Sequence, residues 1–123
     1  ANVVDTIPSA LLDRLEVIHL SGYTSEEKEV IADKYLIPRQ LREHGLSKKV
    51  LKISSGSLIR IISEYTQEAG VRELERQIGA ICRKVARRIA EGEKGPFKIT
   101  RANIQHYLGI PKYQTELTKE ESQ

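Results

Sequence analysis

VRELERQIGAICRKVARRIAE, residues 71–91, is the stretch whose periodicity decides the fold. Its apolar positions, Val71, Leu74, Ile78, Ile81, Cys82, Val85 and Ile89, recur every three or four residues. Wound at 100° per residue they share an arc of about 100°, the signature of a helix that buries one stripe. Gly70 and Gly92 bracket the run. On the opposite side Arg72, Arg76, Arg83 and Arg87 fall within about 60°, flanked by Lys84 and Arg88. Such a row is ordinarily a solvated face balanced by nearby acids, here Glu73 and Glu75. The same geometry suits contact with a neighbouring subunit, with phosphate, or with DNA backbone gripped without base reading. The residues by themselves leave these readings open.

Outward from this helix the punctuation is regular. Upstream, Thr24-Ser25-Glu26-Glu27 is a capping box, and the helix it opens carries Val30, Ile31, Tyr35 and Leu36. Pro38 restarts the chain into a short helix through Leu41 that stops at Gly45. Val50–Ile53 reads as a brief strand, and Ser54 caps a helix whose Leu58, Ile59, Ile61, Ile62 and Tyr65 form a broad apolar face. Downstream, Phe97–Ile99 reads as a second strand, Thr100 caps a last helix containing Ile104 and Leu108, and Gly109 and Pro111 close it. Two helices lie between the strands, which is the long crossover that a parallel pair requires. The expected fold is mainly α, about four helices with two short parallel strands. Residues 1–20 read as a loop, a helical turn and a strand, whereas the polar stretch Lys112–Gln123 is expected to pack against nothing.

Length and composition narrow the functional classes. A chain of 123 residues suits one compact domain. With 39% apolar but only 5% aromatic residues, the core must be built from Leu, Ile and Val. A net charge of +3 is mildly basic, far from a nucleic-acid-binding tail. A lone cysteine, Cys82, excludes an internal disulfide and a Cys-based zinc site. No apolar run is long enough for a bilayer, and no secretory leader is apparent. The expected location is the cytoplasm. The opening at Ala1-Asn2 suits a piece of a longer chain. There is no GxxxxGK[ST] phosphate loop and no apolar run ending in paired carboxylates for magnesium. His19, His44 and His106 lack metal-ligand spacing, and no serine or lysine sits in a nucleophile turn. Alone, the chain is expected to catalyse nothing.

Three stretches are more specific than composition. They are ANVVDTIP (1–8) with LLDRLEVI (11–18), GYTSEEK (22–28) with YLIP (35–38), and YTQEAGVRELER (65–76) continuing to CRKVA (82–86). Together they closely resemble the Lon family of ATP-dependent proteases over almost the whole chain. LGIPKY at 108–113 is similar to the junction leading to that family's proteolytic domain. The resemblance implies that residues 1–20 are the C-terminal end of a large AAA+ subdomain. Residues 21–110 would then be the small helical alpha subdomain, and 111–123 a linker toward the proteolytic domain. It further implies ATP with magnesium as cofactor, held by ligands outside this chain, and a Ser-Lys dyad in another domain that cuts peptide. The implied partners are the chain's own large subdomain and proteolytic domain, the other subunits of a homohexameric ring, unfolded or regulatory protein substrates, and DNA. The implied role is protein quality control and stress response.

The resemblance also assigns residues. Asn2 matches sensor 1, where an uncharged amide orients the attacking water; read alone it is a turn-forming asparagine. Arg14 matches an arginine finger acting on the neighbouring subunit's nucleotide; read alone it is a salt-bridge partner for Asp13 or Glu16. Arg72 matches sensor 2 in the first turn of the long helix, where dipole, free amides and guanidinium all favour a phosphate. Tyr23, Ile31 and Val71 match positions that wall the adenine, though apolar helix positions are as often simply buried. Arg76, Arg83 and Arg87 are the candidates for DNA or intersubunit contact.

Overall fold

A computed structural model describes residues 22–113. Its elements are α1 (Ser25–Ile31), α2 (Ile37–Glu43), β1 (Leu51–Ile53), α3 (Ser55–Arg60), α4 (Arg72–Ala90), β2 (Phe97–Ile99) and α5 (Ile104–Leu108). The fold is mainly helical with two short parallel strands, as the patterning predicts. The expected readings of residues 1–20 lie outside the described residues.

The capping box forms as read: Thr24 Oγ1 accepts from Glu27 N at 3.1 Å, and Glu27 Oε1 accepts from Thr24 N at 2.9 Å. Pro38 does not break the chain. A π-helical segment, Ala32–Leu36, joins α1 to α2 without interruption, and Ile37 N donates five residues back to Ala32 O. The wider turn absorbs the proline, which has no N–H to offer and whose ring crowds the preceding turn of a regular helix. A second π-helical segment, Ile61–Tyr65, extends α3. Ser54 caps α3 as expected, accepting from Ser57 N at 3.1 Å. Thr100 instead closes a turn ahead of α5: it exchanges bonds with Asn103, the residue that precedes that helix, at 2.7 and 3.2 Å.

β1 and β2 pair in parallel, with Leu51 beside Phe97, Lys52 beside Lys98 and Ile53 beside Ile99. Leu51, Phe97 and Ile99 point inward, while both lysines are exposed. Helix α4 is the axis of the core. Leu74, Ile78, Ile81, Cys82 and Val85 are all 0% exposed, against Leu36, Ile61 and Tyr65. Each buried aliphatic side chain contributes about 1.5–3 kcal/mol of transfer free energy.

Three expected core positions face solvent: Val30, Ile59 and Ile89. Ile59 lies about 100° around its helix from Leu58, off the arc shared by Leu58, Ile61, Ile62 and Tyr65. Val30 is similarly rotated from Ile31, which takes the inward position. Ile89 comes on the last turn of α4, beyond Val85, the last buried residue of that helix. The polar C-terminal stretch also departs from expectation at its start. Tyr113 N donates to Glu64 O at 2.8 Å, and Lys112 Nζ stands 3.9 Å from Glu73 Oε2.

Candidate functional site

The first turn of any helix leaves amides without helical partners. At α4 two of them are taken by one carboxylate: Glu68 accepts from Glu73 N at 3.0 Å and from Leu74 N at 2.9 Å. The backbone carbonyl of Glu68 accepts from Lys28 Nζ. Burial draws the Lys28 ammonium below its ordinary value, and the negative charge of Glu68 opposes that shift. One residue on, Ala69 O accepts from Tyr23 N at 3.0 Å. Gly22 beside it has φ of +91°, and an added Cβ would stand 2.6 Å from that of Ala69. Only glycine fits there. The incoming segment Gly22–Tyr23 is thereby fixed against Glu68–Gly70, immediately ahead of Val71 and Arg72.

The sequence-predicted residues divide at this corner. Tyr23 is half-buried and packs on the core, whereas Ile31 and Val71 are members of it, at 7% and 3% exposure. Arg72 is exposed. The expectation that the α4 N-terminus presents free amides to a phosphate needs correction, because Glu68 occupies the Glu73 and Leu74 amides. What Arg72 brings to an anion is its guanidinium. Asn2 and Arg14 lie outside the described residues.

Beside the corner, an open cleft of about 510 Å³ runs between α2 and α4. Arg39, Gln40 and Glu43 line one wall; Arg72, Glu75, Arg76, Gly79 and Arg83 line the other. Glu75 holds the walls together. It accepts from Arg39 Nε at 2.7 Å, from Arg39 Nη2 at 2.6 Å and from Gln40 Nε2 at 3.0 Å, a bidentate charge-assisted clamp. Gly79 permits the close approach, since an added Cβ would stand 2.7 Å from Gln40 Oε1. The row therefore does not face solvent uniformly. Arg72, Arg76 and Arg83 edge a cleft that also contains two carboxylates, and Arg87 lies beyond it. Arg76 makes a loose 3.5 Å pair with Glu73 at 81% side-chain exposure. Arg83 and Arg87 are exposed and form no ion pair among the described residues. Flanking Arg88 turns away, its guanidinium 5.2 Å over the Tyr107 ring.

Among the described residues no group of three His, Cys, Asp or Glu could hold a metal ion, and no helix is long and apolar enough to cross a membrane. Cys82 is buried and its thiol is pushed up to about 11 by desolvation. Glu68, Lys28, Arg39 and Gln40 escaped sequence reasoning. Glu68 precedes the amides it caps by five and six residues, outside the three-residue spacing that marks a capping box. The Arg39–Glu75 clamp spans 36 residues and leaves no local signal.

Comparison with known proteins places this geometry. The solved SSD domain of Bacillus subtilis Lon protease superposes with a TM-score of 0.60 and 43% identity, over 76% of this chain and 98% of that domain. The chain belongs to the Lon protease family. The profile of the Lon protease AAA+ ATPase lid domain matches residues 42–97. The Lon protease of Desulfatibacillum aliphaticivorans is 54% identical over all 123 residues, and that of Geobacter metallireducens 55% over 113 residues, 92% of this chain. The chain spans 15% and 14% of the length of these two Lon proteases.

Proposed function

We propose that this chain is the nucleotide-sensing lid of a Lon-type ATP-dependent protease, with residues 1–20 completing the large subdomain and 111–123 leading to the proteolytic domain. The observation that supports this best is the Tyr23 N to Ala69 O bond. It ties the incoming segment Gly22–Tyr23 to the turn that opens α4, so a displacement of that segment is carried to Arg72. In this reading Asn2 orients the attacking water, Arg14 reaches the nucleotide of the neighbouring subunit, and Arg72 contacts the terminal phosphates. Tyr23, Ile31 and Val71 form the apolar wall against adenine, with Tyr23 the accessible member. Bound ATP with magnesium supplies the hydrolysable phosphoanhydride. This chain's share is to sense its presence and transmit the difference.

The whole protein, on this proposal, is a cytoplasmic hexameric ring that unfolds abnormal and short-lived proteins and cuts them with a Ser-Lys dyad. In the intact enzyme Arg72→Ala should still bind nucleotide but lose coupling between ATP hydrolysis and protein degradation, measured as peptide bonds cut per ATP consumed. Arg14→Glu should cripple ATP turnover in the ring while leaving the isolated subunit's nucleotide binding intact. Unchanged ATP-dependent proteolysis in both variants would refute the assignment.

The exposed row Arg76, Arg83 and Arg87 favours a second reading, a helical surface for DNA. Its grip would be on the phosphate backbone and would weaken steeply with salt, since each neutralised phosphate releases counterions. A gel-shift affinity that held steady across a several-fold rise in salt would contradict it.

A further inference from the structure

The outgoing end of the domain is not loose. Tyr65, with 0% exposure, donates its hydroxyl proton to Gly109 O at 2.7 Å. Glu64, one residue before, accepts from Tyr113 N at 2.8 Å through its backbone carbonyl. Its side chain is held by Arg60 at 3.1 Å, and Arg60 Nη1 donates to Arg101 O at 2.7 Å, just ahead of α5. Further along, Lys112 reaches Glu73 at 3.9 Å, and Glu73 is the immediate neighbour of Arg72. The strap Gly109–Tyr113 is thus bound to a short stretch of chain, Glu64–Glu73.

The incoming segment Gly22–Tyr23 and helix α1, which follows it, are bound to that same stretch. Tyr23 N meets Ala69 O, and Lys28 Nζ meets Glu68 O. The stretch begins in the π-helical segment, a wide turn of the kind that recurs at functional sites. Its other end is the first turn of α4, secured by the Glu68 carboxylate. A displacement imposed at Tyr23 or Arg72 therefore meets the anchor of the strap within ten residues, along a stretch that includes the core residues Tyr65 and Val71.

We propose that Tyr65 is a positioning residue that fastens the outgoing strap Gly109–Tyr113 to the sensor-bearing stretch Glu64–Glu73, so that nucleotide state reaches the domain that follows. The proposal rests on the reading of Arg72 as the sensor. Its two halves are chemically distinct: the hydroxyl of Tyr65 sets where Gly109 lies, and the Lys112–Glu73 pair sets how closely the strap follows Arg72. Neither group touches nucleotide.

The test uses the full-length protease. Tyr65→Phe keeps the buried ring and removes only the donor to Gly109 O. ATP hydrolysis in the absence of substrate should stay within about twofold, and ATP-dependent degradation of an unfolded protein should fall about fivefold, the coupling that one lost hydrogen bond represents. Lys112→Glu, on the surface, repels Glu73 and should shift the same ratio in the same direction by a smaller factor without affecting folding. Amide exchange supplies a readout that a merely structural tyrosine would not move. Protection of the Tyr113 amide should change on adding a non-hydrolysable ATP analogue to the wild type, and should cease to respond in Tyr65→Phe. If both variants keep the wild-type ratio of degradation to ATP hydrolysis, or if Tyr113 protection ignores nucleotide, the proposal is overturned. Arg72→Ala run alongside separates the two levels: no effect there sinks the sensor reading, whereas an effect there with none at Tyr65 and Lys112 sinks the strap alone.

Discussion

The two sides of helix α4 obey different rules. Its inward arc lies in the core, and five of its residues are fully buried. Every one of those positions follows from the 3.6-residue repeat. Its outward row has equally regular spacing, yet its members differ in surroundings. Arg72, Arg76 and Arg83 edge a cleft with Glu75 clamped inside it, Arg87 stands apart, and Arg88 lies over an aromatic ring. Periodicity determines most of what is buried, because burial depends chiefly on direction; Ile89, on the same arc but in the last turn, is the exception. Periodicity does not determine what a charge on the surface does, because that depends on which other segment arrives beside it.

The comparison can be broken most severely from the inside. Ile78→Ala should destabilise the domain by about 2–5 kcal/mol, read from a denaturant midpoint, because the void in a close-packed core collapses only in part. A loss below about 1 kcal/mol would mean that the arc is less tightly packed than its burial indicates. Glu68→Ala should cost about 1–2 kcal/mol by stripping two α4 amides of their acceptor. It should also loosen the corner that holds Gly22–Tyr23, visible as faster exchange of the Tyr23 amide.

A finer probe is Lys28. Burial lowers its ammonium below the unfolded value of 10.5, so the folded chain releases this proton more readily than the unfolded one. The penalty it carries is greatest while both states are protonated and fades as pH climbs through the folded value toward 10.5. Unfolding free energy measured from neutral pH upward should contain a rising component that Lys28→Met removes. The smallest effect belongs to the outer row: Arg83→Ala should change stability by no more than about 0.5 kcal/mol. Arg39→Ala, which abandons Glu75 in the cleft wall, should cost clearly more. Equal costs at the two positions would erase the distinction between the clamped wall of the cleft and its open edge.

How much was legible follows from the range of each interaction. The capping box at Thr24, the cap at Ser54, the extent of α4 and both strands involve residues within a few positions of one another, and each was readable. Pro38 misled because a proline is ordinarily a stop, and the π-helical widening that accommodates it has no local signature. Val30 and Ile59 are apolar in type but stand about 100° off the buried arcs of their helices, so angle and not composition decides their exposure. At the site, the motif around Arg72 was visible, but the partners that give it a setting were not. Glu68, Arg39, Gln40 and Tyr65 act across five to forty-four residues. Lys112 and Tyr113 carry no apolar pattern, so only the fold shows that they are held.

The lone sulfur of the chain lies at the centre of the core with its thiol held protonated up to about pH 11. Maleimide chemistry at neutral pH depends on thiolate, so it passes this position by. A pair of cysteines placed at the surface, one on the incoming segment and one on the strap, would therefore accept fluorescent dyes without background from within the domain. The domain is thus suited to carry a pair of labels that reports the distance between its two ends.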